Sequence, residues 1–325
     1  MGDKDSITKQ YMKQPERFAD LFNGFCFGGE EKLHPDELKD MDTASIVLPY
    51  GEDGAPLPKQ KARDVLKLAL KTDGKAAYCI LGVENQSKIH TAMPVRNMLY
   101  DAMTLAEQVA AAANSHKEAH NRGKDSAEYL SGFHCEDKLL PVITLVIYWG
   151  ADEWEAPVTL REMYPEGLDE RILHYANEYK VNLISPAQMT DEQLDVFRSD
   201  LKAVLKFIKH SKDKQELANL VNNNQDYKSL DRLAAQTISV CSGQDFNFPV
   251  GEERIDVCKA IDDMVTDARN EGRSQGRDEA TNEGMRNVIA TVRDLNMGKE
   301  VAIQQLEKRY TLSQAAATSF VDSNW

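Results

Sequence analysis

Long hydrophobic runs are missing from this chain. A bilayer-spanning helix needs about 20 consecutive apolar residues, so no membrane partner is expected. Cysteine is scarce: five in 325 residues, unclustered. That excludes a disulfide-built scaffold and points to a reducing compartment. The polar opening Met-Gly-Asp-Lys-Asp carries no signal-peptide pattern, and cytoplasm is the expected location. Positive charge is also short, with 39 Lys and Arg against 53 Asp and Glu and a net charge of −14. This excludes a protein that coats nucleic acid through bulk charge, although it leaves room for a local basic surface. What is present, 42% hydrophobic and 28% charged residues, suits an ordinary globular fold. The length allows one large domain with an appendage, or two modest domains.

Residues 64 to 86 organise the rest. Two apolar runs flank Asp73-Gly74, a strong hairpin signal. In the first arm Lys67 and Lys71 alternate with Leu66, Leu68 and Leu70, so one face reads apolar and the other solvated. The second arm, Ala76 to Val83, is almost continuously apolar, as a strand covered on both faces would be. Asp64 shares a side with the leucines, and Glu84 and Gln86 share a side with Ile80 and Gly82. A loop over Asp73 to Lys75, or a bulge, sets Asp64 directly opposite Glu84. A strict two-residue loop would put the acids on opposite faces. Two carboxylates about 5 Å apart across a strand pair repel in a low dielectric unless a cation lies between them. A hard divalent ion with oxygen ligands, most simply Mg²⁺, fits. From Lys59 to Tyr100 there are eight basic residues against three acids. They read either as a solvated lysine-rich strand face or as a phosphate-binding rim around the acidic pair.

Around this hairpin the pattern gives a helix over residues 7 to 23 with Pro15 inside it, a strand at Ala44 to Tyr50, and a helix from about Thr91 to Ala113. Met93, Asn97 and Tyr100 share a face of that last helix, with Arg96 one residue off it. Leu139 to Trp149 is the most apolar run and reads as a central strand. Val181 to Ile184 is a short strand, and Asp191 to Ile208 an amphipathic helix capped by Thr190. The segment 114 to 138 reads as a solvated insertion. Its His116, His120, His134 and Cys135 offer a weak zinc alternative.

Asp64, a hairpin, and then Glu84-x-Gln86 resembles the PD-(D/E)XK nuclease motif in its Glu-x-Gln variant. The words FADLFNG at 18–24, RD at 63–64, VENQ at 83–86, MPVRNMLYD at 93–101 and LLPVITLVIYWG at 139–150, in this order, resemble the recombination-promoting nuclease (Rpn) family, also labelled PD-(D/E)XK nuclease family transposase. The likeness covers roughly residues 7 to 230. It implies an α/β restriction-endonuclease-like core, αβββαβ, with helices on both faces of a mixed sheet and an α-helical C-terminal tail. It implies a metal-dependent DNA endonuclease linked to recombination or mobile elements. Asp64, Glu84 and Gln86 would be catalytic, and Asp64, Glu84 and the Asn85 carbonyl would hold Mg²⁺ or Mn²⁺. Glu16 or Asp20 would supply an acid from the first helix, or else lie exposed. Lys88 and Arg96 would support the site, Gln108 would lie behind it, and Lys61, Arg63, Lys67, Lys88 and Arg96 would meet DNA. Gln86 stands where the usual motif has lysine, so a nuclease fold acting instead as a DNA-binding, regulatory or assembly partner is the alternative.

The chain changes character near residue 234, giving an expected division into a nuclease-like part, 1–233, and a helical region, 234–325. Gly272, Gly276 and Gly284 weaken a helix by about 1 kcal/mol each, so 271–284 reads as a hinge or weak helix. Two further helices follow, separated by Asn296-Met-Gly298. A homo-oligomer through these helices is the expected use of the tail.

Overall fold

The computed structural model describes residues 3–41, 64–70, 77–246 and 248–325, apart from the side chains of 3, 77, 78, 263, 264, 267 and 268. The strand expected at 44–50, the Asp73-Gly74 turn, Lys61 and Arg63 lie outside these residues.

In chain order the elements are α1 (Asp3–Lys13), α2 (Pro15–Phe27), β1 (Leu38–Asp40), β2 (Val65–Leu70), β3 (Ala77–Gln86), α3 (Met93–Glu118), α4 (Ser126–Ser131), β4 (Val142–Tyr148), α5 (Glu170–Leu173), β5 (Asn182–Ile184), α6 (Asp191–Asp195), α7 (Leu201–His210), α8 (Lys214–Asn223), β6 (Leu230–Asp231), α9 (Arg232–Ser242), β7 (Arg254–Ile255), α10 (Val257–Asp294), α11 (Lys299–Tyr310) and α12 (Gln314–Asn324). The fold is α/β. A mixed five-stranded sheet runs β1-β2-β3-β4-β5. The first three strands are antiparallel neighbours, and β4 and β5 run parallel to β3.

Each strand's composition follows from its place. In β4 the residues Leu145, Val146 and Ile147 are fully buried, because α1 packs against β3 on one side and α3 against β4 on the other. An apolar residue buried this way contributes about 1.5–3 kcal/mol. The same double cover corrects the reading of β2. Lys67 is not on a solvated face but is 2% exposed. Its ammonium passes 5.5 Å from the Phe18 ring centre and pairs with Asp40, its register neighbour on β1. Burial of a charge requires such a partner.

The helix expected over 191–208 is two helices. Thr190 does cap the first, its hydroxyl accepting from the Gln193 amide at 3.3 Å. The break before α7 is held from outside. Asp20 on α2 accepts from the backbone amides of Arg198 (2.9 Å) and Ser199 (2.8 Å) and from the Ser199 hydroxyl (2.6 Å).

Met1–Lys259 and Ala260–Trp325 form two compact units. The boundary expected at 233/234 falls inside α9, whose Ala234, Ala235 and Ile238 are fully buried. The change of character there marks a buried helix rather than a linker. In the C-terminal unit Met285, Ile289, Val292, Ala302, Leu306, Ala317 and Val321 form a small core. The glycine-punctuated stretch is continuous α10 helix with exposed side chains. Among the described residues no helix is long and apolar enough to cross a membrane.

Candidate active site

The site is built at the ends of β2 and β3. Their register pairs Val65 with Val83 and Leu66 with Gly82. Carried one residue further, it faces Asp64 with Glu84. A register shift between Ala69 and Leu70 lies toward the turn, as the pairing of the acids requires. Asp64 lies in the bend entering β2, and its Oδ2 accepts a hydrogen bond from the Asn85 backbone amide at 2.8 Å. Glu84 is fully buried, and its Oε2 accepts from Arg96 Nη2 at 3.1 Å. Arg96 is placed for this by α3, which opens with Pro94 in its first turn and buries Met93, Asn97, Tyr100 and Thr104. The guanidinium also lies over the Tyr100 ring, 5.5 Å from its centre.

Gln86, on the same face as Glu84, is buried at the last position of β3. Asn85 points the other way. Its Oδ1 accepts from Trp149 Nε1 at 2.9 Å, and Trp149 packs edge-on against Tyr11 at 6.0 Å. This pins the strand end between β4 and α1.

Burial raises the Asp64 carboxyl above its ordinary pKa, which the Asn85 amide, Lys9 and Arg96 oppose and Asp5 reinforces. Asp5 and Lys9 are therefore close enough to Asp64 to act on it electrostatically. Both lie on α1, one helical turn apart, and Asp5 accepts from the Ser87 hydroxyl at 2.8 Å. The i, i+4 spacing of Asp5 and Lys9 is the signal that could have found them. Starting the first helix at residue 7 left Asp5 out.

The other expected positions resolve differently. Asp20 is committed to the α6–α7 break. Glu16 is exposed on the rim of a cavity of about 420 Å³ that it shares with Arg17, Asp200 and Asp231. Lys67 is committed to Asp40. Gln108 clamps the Leu140 backbone, donating to its carbonyl at 3.1 Å and accepting from its amide at 2.7 Å, which ties α3 to the entry of β4. Lys88 is exposed in the bend after β3.

The donor set suits a hard divalent ion. Asp64 and the buried Glu84 bring two carboxylates to this end of the sheet, with Arg96 bonded to Glu84 and Asp5 and Lys9 near enough to act on Asp64 electrostatically.

Over residues 57–237, more than half of the chain, the sequence matches the model of a family described as "Putative transposase, YhgA-like". No curated protein and no solved structure gives a significant match. The matched segment contains β2, β3, α3 and β4, the elements that carry Asp64, Glu84, Gln86 and Arg96, and this chain belongs to that YhgA-like transposase family.

Proposed function

We propose that the protein is a metal-dependent DNA endonuclease on a PD-(D/E)XK-like core, hydrolysing phosphodiester bonds in the cytoplasm. The mobile-element association of its family accords with a DNA substrate. One observation carries this reading: the β2–β3 register that faces Asp64 with a fully buried Glu84. A buried like-charge pair is costly, and a divalent ion offsets that cost.

Asp64, Glu84 and the Asn85 carbonyl would hold Mg²⁺ or Mn²⁺. When bound, the ion supplies Lewis-acid stabilisation of the charge developing at phosphorus and a nucleophilic water at neutral pH. The chain's own residues supply the rest. Arg96 fixes the orientation of the Glu84 carboxylate through Oε2. The Gln86 amide, beside Glu84 on the same face, orients the attacking water but brings no positive charge. Lys9 contributes positive potential next to Asp64, part of what the usual motif lysine supplies. Lys88, Lys61 and Arg63 are proposed to meet the phosphate backbone, and the C-terminal helices to pair with a second copy. Gln86 and the Arg96–Glu84 bond favour a second reading, a nuclease fold that binds DNA without cutting it.

Plasmid cleavage in EDTA, Ca²⁺, Mg²⁺ and Mn²⁺, with Asp64→Ala and Glu84→Ala alongside, separates the two. Cleavage that needs Mg²⁺ or Mn²⁺ and both carboxylates is the expected result. DNA binding that persists in EDTA with no cleavage under any condition would establish the second reading.

A further inference from the structure

At the far end of α3 a different group of side chains converges. His116 lies in the last turn of the helix, and the chain returns through α4 to bring His134 and Asp137 against it. The His116 and His134 rings stack at 3.6 Å with planes 14° apart. His116 Nε2 lies 2.9 and 3.1 Å from the two Asp137 carboxylate oxygens. One ligand atom from each of the three residues lies within 4.8 Å of the others.

We propose that His116, His134 and Asp137 bind one transition-metal ion of the zinc class, at a site separate from Asp64 and Glu84. Two imidazoles and one carboxylate form a nitrogen-rich donor set that suits Zn²⁺ and its neighbours, whereas Mg²⁺ takes oxygen ligands. Metal–ligand bonds of about 2.0–2.1 Å at tetrahedral angles separate ligand atoms by roughly 3.4 Å. Ligation requires the two imidazoles to turn out of their parallel stack so that one nitrogen of each converges on the ion. Binding replaces the His116–Asp137 hydrogen bond with bonds from both residues to the ion.

The surroundings hold these ligands in place. The His134 backbone amide donates to Asp137 Oδ2 at 2.7 Å. Glu128 accepts from the Lys124 amide at 2.6 Å and the Cys135 amide at 3.0 Å, closing the loop around α4. His134 is 8% exposed, so its imidazole is already largely desolvated. Three protein ligands leave a coordination position open, and both histidines line a cavity of about 710 Å³. His116 lies 20 residues beyond Arg96 on the same helix, about 30 Å away.

Sequence spacing alone would pair His116 with His120 as His-x(3)-His. The fold rejects this. α3 ends at Glu118, and His120 is exposed with a left-handed backbone, φ 52°.

The test uses the full chain, stripped with EDTA and then saturated with Mg²⁺ to occupy any hard-ion site. Zn²⁺ is titrated by calorimetry and Co²⁺ by visible absorption. One equivalent is expected, with a d–d spectrum lacking thiolate charge-transfer bands. His116→Gln, His134→Ala and Asp137→Asn should each weaken binding by about 100-fold or more, above the 10- to 100-fold typical of residues behind the ligands. His120→Ala, Cys135→Ser, Asp64→Ala and Glu84→Ala should bind as wild type does. Circular dichroism confirms that each variant is folded, and Asp137→Asn keeps the size of the side chain if His134→Ala loosens the loop. Failure of the wild type to bind Zn²⁺ at micromolar concentration would overturn the assignment, as would binding indifferent to all three ligand changes or abolished by Asp64→Ala. Each result is independent of whether the protein cuts DNA.

Discussion

Arg17 and Arg96 each hold a carboxylate that the fold has shielded from water, and a neighbouring carboxyl is shifted in opposite directions at the two sites. Arg17 donates from Nε (2.8 Å) and Nη2 (2.7 Å) to Asp200 and from Nη2 to Asp231 (2.6 Å). Asp200 also accepts from the Tyr11 hydroxyl at 2.8 Å, and Asp231 caps α9 through the Leu233 amide at 2.9 Å. Both carboxylates there accept several hydrogen bonds within the chain, Arg17 holds Asp231 below its ordinary pKa against the pull of burial, and the network fastens α2, α7 and α9. Near Arg96, by contrast, burial lifts Asp64 above its ordinary pKa. A closed network holds structure together. A carboxyl pushed the other way by burial marks a candidate ligand site.

The largest expected effect breaks this contrast at the candidate ligand site. Asp64→Asn or Glu84→Gln should slow Mg²⁺-dependent cleavage by about two to four orders of magnitude, the several kcal/mol that a metal-held charge contributes at roughly 1.4 kcal/mol per decade. Single-turnover cleavage rates measure it, and cleavage within threefold of wild type would contradict the proposed roles. Next comes Arg17→Ala. It strands Asp200 and should cost about 3 kcal/mol, the low end for breaking a buried pair, because Asp231 reaches water. Urea unfolding with and without Mg²⁺ sharpens the comparison: the ion should restore stability to Arg96→Ala and leave Arg17→Ala unrescued. Equal rescue of both would erase the distinction.

A smaller effect concerns pH. The raised Asp64 carboxyl holds its proton more tightly folded than unfolded. Wild-type stability in EDTA therefore falls, relative to Asp64→Asn, as pH rises from the unfolded value of about 3.9 through the raised folded one, and the offset persists above it. Melting curves from pH 3 to 8 would show the gap open in that direction only. The smallest change is expected from Lys9→Met. Loss of its positive potential lifts Asp64 further, so the acidic limb of the cleavage–pH profile should move to higher pH, and no movement would remove Lys9 from the site.

Much of this was legible before the structure. Val65 through Ala69 kept the register that the two acids demanded, whereas a one-residue slip would have put Asp64 and Glu84 on opposite faces. The apolar run ending at Trp149 read correctly as a central strand, and the spacing of Met93, Asn97 and Tyr100 as the buried face of α3. The failures share one cause. Alternation made Lys67 look solvated, yet Phe18 of α2 lies against its ammonium and Asp40 of β1 pairs with it. Asp20 looked available for a metal, yet the backbone of residues 198 and 199 claims it. His116 and His120 looked like a pair, yet the helix ends between them.

Local pattern determined β2 to β5, the helix α3, the facing of Asp64 with Glu84 and the family. These follow from side-chain periods of 2 and 3.6 and from short-range pairing. Which partner each buried charge finds was decided only in three dimensions. The partner of a buried charge is chosen by whichever element packs against it, and that element can be nearly 180 residues away, as Ser199 is from Asp20.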